Sequence, residues 1–560
     1  MDWLEPSELR VGLGCMRLPD ERTGIATIEA ALEAGITVFD TARAYDGNEQ
    51  LLARALRGRV ARVVTKGGMA HIDGRWMPDG RAKTIRSDCE SSLAALDGRP
   101  IDLYLVHAPD PRTPWRTTVR ALAKLVDDGL VGRIGVSNVN RGRLDEALEL
   151  APIAAVEVGL SVFDDSALRG GVVERCAGRG IALLAHSPLG GPRRTRALSR
   201  DETLIGIATK RDVTPAQVAL AWLAGIADVV VPIPGARRPE AARTAAEASA
   251  LQLSAEEREA VGGRFAVRPR TSATTRTSGE IVLVMGIPGS GKSRIAADYV
   301  ARGFVRLNRD DRGGSLRDLD GALEEELVGG AGRVVLDNTY LTRAARSRPL
   351  ELAARFRLPV RCVWLDTPLA QAQVNMVLRL LERFGALPQP EELAKVAGGE
   401  PGLLAPTSQM RTLRELEPPA ADEGFAVVEH VGFARAPAAT SRPGVFAAAS
   451  AVDGAPWTDI DPDKPHLVFD WLPGEDASSL ASTAARVARE VEGPVESAMC
   501  PHGGGPPVCW CRPPLPGLLL AFAHAHGLDP SVSTLVGHSR AHRTLAQTLG
   551  ARFVEVEARS

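Results

Sequence analysis

Eight short runs of β-branched and apolar residues recur between residues 11 and 235, each followed by a stretch of helical periodicity. They are "VGLG" (11–14), "TVFDTA" (37–42), "RVVTKGG" (62–68), "DLYLVHAP" (102–109), "RIGVSN" (133–138), "AAVEVGL" (154–160), "ALLAHSP" (182–188) and "VVVPIPG" (229–235). Eight strands alternating with helices over this span predict a (β/α)₈ barrel, because each strand needs a crossover helix before its parallel neighbour. Charged side chains are rare inside buried strands. Here Asp40, Lys66 and His107, then Ser137 and Asn138, fall at the strands' C-terminal ends. That rim is where such barrels carry their chemistry.

These residues resemble the aldo-keto reductases. "FDTARAY" supplies Asp40 and Tyr45, "TKGG" supplies Lys66 and "YLVHAP" supplies His107. The resemblance implies a catalytic tetrad in which Tyr45 donates a proton as hydride reaches a carbonyl carbon. Lys66, held by Asp40, would ease that proton's departure, and His107 would orient the carbonyl oxygen. It also implies NADP(H), with Ser137, Asn138, Glu157 and His186 about the nicotinamide, and Gly235 and Arg237 toward the phosphates. Glu157 stands where the family usually has Gln, His186 where it often has Tyr, and Ala245 where an Asn is common. No strand–turn–helix GxGxxG occurs, as expected of a barrel that binds a dinucleotide without a Rossmann unit.

A second chemistry begins at "EIVLVMGIPGSGKSRIAADYV" (280–300). A β-rich run, a glycine loop and a helix start carry Gly286, Gly289, Gly291, Lys292 and Ser293 in the GxxxxGK[ST] spacing. Backbone N–H groups there cradle the phosphates of ATP, Lys292 reaches the β/γ oxygens and Ser293 holds Mg²⁺. "FVRLNRDDRGG" then places Asp310 and Asp311 after a strand, "RVVLDNTY" places Asp337, and a later helix carries Arg379 and Arg383 as a candidate lid. These features resemble the kinase domain of polynucleotide kinases. Carried over, Asp310 is the general base for a 5′-hydroxyl, Asp337 a substrate- or metal-proximal carboxylate, and Arg379 a stabiliser of the transferring phosphate. The family's further Arg is Gly313 here, with Arg312 beside it, and its lid "RN" is Val374–Asn375. A small-molecule kinase and a nucleotide hydrolase on the same fold stay open.

The third region contains "CPHGGGPPVCWCRPPLPG" (500–517). Cys500, His502, Cys509 and Cys511 have the spacing of a closed, structural Cys₃His Zn²⁺ site. The loop resembles that of the zinc-containing phosphatases of the haloacid dehalogenase superfamily. The nucleophile strand of that family is not found in this region. Pro513 stands at its Lys, and His538 and His542 stand at its Mg²⁺-binding aspartates. The module therefore reads as a remnant without phosphatase chemistry, with His538 and His542 as a second, softer metal pair to be tested.

At 560 residues several cores are needed. Low-periodicity stretches divide the chain into a barrel (1–267), a linker (268–278), a P-loop domain (279–434), a second linker (435–465) and a partial haloacid-dehalogenase-like α/β domain (466–560). Seven cysteines, three of them in the metal loop, suit a reducing cytoplasm better than a disulfide framework. No apolar run is long enough to span a membrane, and the first residues do not read as a secretion signal. A net charge of −2 neither selects nor excludes nucleic acid. The combined expectation is a multifunctional enzyme that reduces a carbonyl and phosphorylates an RNA or DNA 5′-hydroxyl end. A homo-oligomer is compatible with it. A sugar-metabolising reductase–kinase and a nucleotide-binding sensor are the alternatives.

Overall fold

The computed structural model describes residues 3–4, 8–72, 75–265, 279–397, 402–435, 441–505 and 507–556. The chain forms two compact units, one of Met1–Thr271 with Arg343–Ser347, the other of Ser272–Thr342 with Arg348–Ser560. The expected linker at 268–278 lies outside the described residues.

In the first unit, β1 (Gly12–Gly14), β2 (Val38–Asp40) and β3 (Arg62–Gly67) run parallel. An antiparallel pair follows, β4 (Met69–Ile72) and β5 (Arg75–Pro78). The sheet resumes with β6 (Leu103–Val106), β7 (Ile134–Ser137), β8 (Ile153–Gly159), β9 (Ala182–His186) and β10 (Val230–Ile233), and is parallel throughout. A parallel bridge between Gly14 and Gly235 brings the last strand back to the first and nearly closes the barrel. All eight runs read from the sequence are strands. The β4–β5 pair was not foreseen.

Side chains alternate across the barrel wall. Phe39, Val63, Tyr104 and Val156 face the outer helices. Val38, Val64, Leu103, Leu105, Ala155, Ala182 and Leu184 fill the interior. Continuing that inward register by two residues toward the rim reaches Asp40, Lys66, His107, Glu157 and His186. The period of the strand therefore delivers the polar residues to one end of the packed interior.

The second unit holds two five-stranded parallel sheets. The first comprises β11 (Glu280–Met285), β12 (Val305–Asn308), β13 (Arg333–Asp337), β14 (Val360–Asp366) and β15 (Val427–Gly432), in the order β12-β13-β11-β14-β15. The second comprises β16 (Val445–Ala448), β17 (His466–Trp471), β18 (Val495–Cys500), β19 (Thr534–Gly537) and β20 (Arg552–Glu555), in the order β18-β17-β16-β19-β20.

One expectation is corrected here. The stretch 435–465 is not wholly a linker: it contains β16, the central strand of the last sheet, with all four residues buried. That strand ends in Ala447 and Ala448, with Ser450 beyond and no carboxylate among these positions. The candidate lid helix, Leu369–Phe384, packs its apolar face inward. Its Val374, Met376, Val377 and Leu380 belong to the same hydrophobic core as Phe446, Trp510 and Leu519 of the last domain.

Candidate functional site

The barrel rim gathers the expected tetrad. Lys66 is fully buried, and its Nζ donates to Asp40 Oδ1 at 2.5 Å and to the carbonyl of Thr41 at 2.9 Å. Glu157 Oε2 lies 3.2 Å from the same Nζ. A buried ammonium with one carboxylate is neutral as a pair; with two it carries an excess negative charge that burial penalises. Asp40 is accordingly pushed up to about 8, first by burial and then by Glu157, with Lys66 opposing. Lys66 loses charge stability through burial but is held above its usual range by Asp40 and Glu157.

Tyr45 is half-buried, its ring centroid 5.6 Å from Lys66 Nζ and 5.7 Å from the His107 ring. Burial pushes its phenol up to about 12, Lys66 pulls it down, and Asp40 and Glu157 push it up again. Burial, Lys66 and His186 lower His107 to about 3, so it is a neutral imidazole near pH 7. Its Nδ1 is buried without a hydrogen-bond partner among the described residues. A neutral ring that donates one N–H suits the polarising of a carbonyl oxygen.

Beside the tetrad, Asn138 adopts φ 55° and donates through Nδ2 to the carbonyl of His107 at 3.0 Å. Its Oδ1 meets His186 Nε2 at 3.1 Å. Ser137 is buried, its Oγ 3.2 Å from Asn138 Nδ2, and pairs in register with Glu157 across β7 and β8. Ser137, Asn138, Glu157 and His186 therefore converge. Gly235 and Arg237 lie after β10 with exposed faces, and Ala245 is buried in the helix Pro239–Ala250. Sequence reasoning missed Trp76 on β5, whose ring is 6.1 Å from Tyr45 and 5.9 Å from His107. The aromatic pattern "RWMP" was its only signal.

With this geometry in view, residues 10–262 match the family model described as Aldo/keto reductase family. Probable aldo-keto reductase 1 of Glycine max is 34% identical over 268 residues, covering 40% of this chain and 76% of that one. The chain belongs to the aldo/keto reductase family. An uncharacterized oxidoreductase of Schizosaccharomyces pombe is 29% identical over 263 residues, covering 44% of this chain and 83% of that one. Among solved structures, an aldo-keto reductase from Klebsiella pneumoniae in complex with NADPH is similar at 27% identity and a TM-score of 0.42, covering 47% of this chain and 92% of that one. Beyond the reductase barrel, residues 281–386 match the model described as AAA domain.

That P-loop follows the central strand β11. Gly286, Gly289 and Gly291 have φ of 152°, 84° and 96°, where side chains are disfavoured. A Cβ on Gly289 would fall 2.4 Å from the carbonyl oxygen of Ala372. Lys292 donates to the carbonyl of Ile287 at 3.0 Å, and burial lowers it to about 8 against the pull of Asp337 and Asp310, with Arg379 adding to the lowering. Lys292, Asp310, Asp337 and Arg379 thus share one electrostatic neighbourhood. Ser290 Oγ and Asn338 Nδ2 are buried without hydrogen-bond partners among the described residues, as polar groups around a ligand-accepting loop would be. Ser293 is exposed at the start of the helix Lys292–Ala301.

The two candidate aspartates after β12 differ. Asp311 pairs with Arg306 Nη1 at 2.6 Å and is 62% exposed, while Asp310 is 41% exposed and lies 3.6 Å from Arg309. Asp337 is buried and held by Arg306 Nη2 at 2.6 Å and by Asn308 Nδ2 at 3.0 Å. Arg306 and Asn308 were not singled out in the sequence. Nor was Gln409, which donates to the P-loop carbonyl of Pro288 at 2.8 Å; Asn375, read from the sequence as part of the lid pair, donates to that of Gly289 at 2.8 Å. Arg379 reaches the carbonyl of Gly402 at 3.3 Å, and Arg383 lies over the Phe384 ring.

In the last domain, ligand atoms of Cys500, His502, Cys509 and Cys511 all lie within 4.8 Å of one another. Cys500 Sγ is 3.7 Å from Cys509 Sγ, and His502 Nδ1 is 3.5 Å and 3.2 Å from the sulfurs of Cys500 and Cys511. Bonds of about 2.3 Å to sulfur and about 2.0 Å to nitrogen give tetrahedral edges of roughly 3.8 and 3.5 Å. The four groups fit such an ion with little movement. His538 and His542 stack edge-on at 5.3 Å, but no group of three metal-ligating side chains forms there among the described residues.

Proposed function

We propose that this chain is a bifunctional enzyme, an NADP(H)-dependent carbonyl reductase joined to an ATP-dependent 5′-hydroxyl polynucleotide kinase. A bound nicotinamide supplies hydride chemistry at the barrel rim, where Ser137, Asn138, Glu157 and His186 would hold its ring end, and Gly235 and Arg237 the distal phosphates. Tyr45 gives its proton to the carbonyl oxygen, His107 orients that oxygen, and the Asp40–Lys66 pair fixes the charge around the phenol. No helix among the described residues is long and apolar enough to cross a membrane.

For the kinase, Gly286, Gly289, Gly291 and Lys292 would hold the ATP phosphates, and Ser293 would hold Mg²⁺. Asp310 accepts the hydroxyl proton, Asp337 is the substrate- or metal-proximal carboxylate, and Arg379 stabilises the γ-phosphate as it transfers. The observation that carries this assignment is the contrast between the two neighbouring aspartates: Asp311 is bonded to Arg306 at 2.6 Å, whereas Asp310 makes a looser 3.6 Å ion pair with Arg309 and contributes to the charge felt by Lys292. The last domain contributes a Zn²⁺-stabilised fold and no phosphatase step, since Ala448 ends its central strand.

The test is transfer of labelled γ-phosphate from ATP to 5′-hydroxyl RNA and DNA oligonucleotides, beside ribose and ribitol. Label on an oligonucleotide, lost in Lys292→Ala and Asp310→Ala, is the expected result. Label only on the polyols would move the activity to small sugars. NADPH consumption with simple aldehydes and with abasic or 3′-aldehyde ends, in wild type and Tyr45→Phe, tests the reductase and its substrate.

A further inference from the structure

Lys66 sits between two buried carboxylates, and the second one is the departure. Lys66 spends hydrogen bonds on Asp40 and the carbonyl of Thr41, and Glu157 Oε2 stands 3.2 Å from its Nζ. Glu157 is 4% exposed, and that oxygen makes no hydrogen bond among the described residues. No Lys66–Tyr45 hydrogen bond accompanies these contacts among the described residues; the ammonium is 5.6 Å from the phenol's ring centroid. The positive charge that would make a phenol acidic is therefore divided.

We propose that Glu157 is a positioning residue that sets the direction of the reductase: as a second counter-ion on Lys66, it keeps Tyr45 in its protonated form and favours carbonyl reduction over alcohol oxidation. The inference rests on the reading of Tyr45 as proton donor. In reduction, hydride adds to the carbonyl carbon and the Tyr45 O–H proton goes to the carbonyl oxygen. In the reverse direction hydride leaves for an oxidised nicotinamide, and Tyr45 must already be a phenolate to take the hydroxyl proton. A site that resists phenolate formation runs the first reaction at neutral pH and the second only at high pH.

The groups facing Tyr45 come from several elements. Lys66 on β3 stabilises the phenolate, and Asp40 on β2, Glu157 on β8 and Cys15 after β1 oppose it. His107 and His186 are both lowered by burial and by Lys66. Of the groups opposing the phenolate, Glu157 is the one an isosteric amide removes without touching the Asp40–Lys66 bond.

The experiment is a titration of tyrosinate absorbance on the full chain, which has four tyrosines. Subtracting a Tyr45→Phe titration isolates Tyr45. In Glu157→Gln the Tyr45 midpoint should fall by about one pH unit or more, because a negative charge that opposes the phenolate is removed. The pH at which alcohol oxidation appears should fall with it. An unchanged midpoint overturns the proposal. If Tyr45→Phe reduces an aldehyde probe as fast as wild type, the donor reading itself falls, an outcome the titration keeps separate. Should Glu157→Gln misfold, difference infrared on the wild type replaces it. A protonated-carboxyl band lost on raising the pH through about 8, and missing in Asp40→Asn, supports the carboxylate pair; no such band overturns it.

Discussion

Asn375 Nδ2 donates a 2.8 Å hydrogen bond to the carbonyl oxygen of Gly289, tying the helix Leu369–Phe384 to the phosphate loop. The same helix buries Met376 and Leu380 in the core of the last domain. Asn375→Ala removes one neutral hydrogen bond, a net loss of about 0.5–1.5 kcal/mol. ATP should then bind roughly 2- to 12-fold more weakly with secondary structure retained. Calorimetric titration of ATP into the wild type and the variant checks it.

The loop of Cys500, His502, Cys509 and Cys511, which could hold a metal ion, extends that linkage. Trp510, between Cys509 and Cys511, lies in the core shared with this helix and donates to the carbonyl of Leu404 at 3.0 Å. If the loop holds a metal, chelation should lower the melting temperature of the unit formed by Ser272–Thr342 and Arg348–Ser560 and weaken ATP binding, while the barrel's transition stays in place. Scanning calorimetry with and without chelator, with metal content measured by atomic emission, would show it. A barrel transition that falls with the other would contradict it.

Much of this was legible in the sequence because parallel strands, covered on both faces, read as unbroken β-branched runs. The tetrad was legible because the last inward positions of those strands are polar: Asp40, Lys66, His107. The strand β16 was not. Its "VFAA" is four residues long, set in an Ala- and Pro-rich stretch with no periodicity around it, and only tertiary pairing with β17 and β19 makes it central. Arg306 could not be assigned for a related reason. Its partners Asp311 and Asp337 lie five and 31 residues away, and only the register of β12 against β13 brings the second into reach. The sequence likewise marked Glu157 as a departure without revealing that it meets Lys66.

Lys66 gives the sharpest stability prediction in the barrel. Lys66→Met leaves Asp40 and Glu157 buried together without a cation, and breaking a buried pair from one side costs about 3–5 kcal/mol. The loss should be partly recovered at low pH, because the carboxylates neutralise on protonation. Asp40 is already raised to about 8 in the wild type by burial and by Glu157, and loss of the lysine raises it further. Denaturant titrations of Lys66→Met should therefore show stability rising as the pH is lowered through about 8, opposite to the usual carboxylate behaviour. Reductase activity should be lost at every pH.

Lys292 predicts a proton taken up on nucleotide binding. In the free loop burial lowers it to about 8, while ordinary lysine stays charged to about 10.4. The ATP phosphates favour the ammonium form and raise it again. Below about pH 8 the lysine is protonated in both states and binding exchanges no proton with solvent at this group. Above about pH 8 the free protein has lost that proton, so binding must recover it and affinity falls as the pH rises. Calorimetry at pH 9 in two buffers of different ionisation enthalpy should give an uptake approaching one proton per ATP. Lys292→Met should abolish the uptake and weaken binding, whereas Asp310→Ala should keep a measurable uptake, since Asp310 is the smallest of the named influences on Lys292.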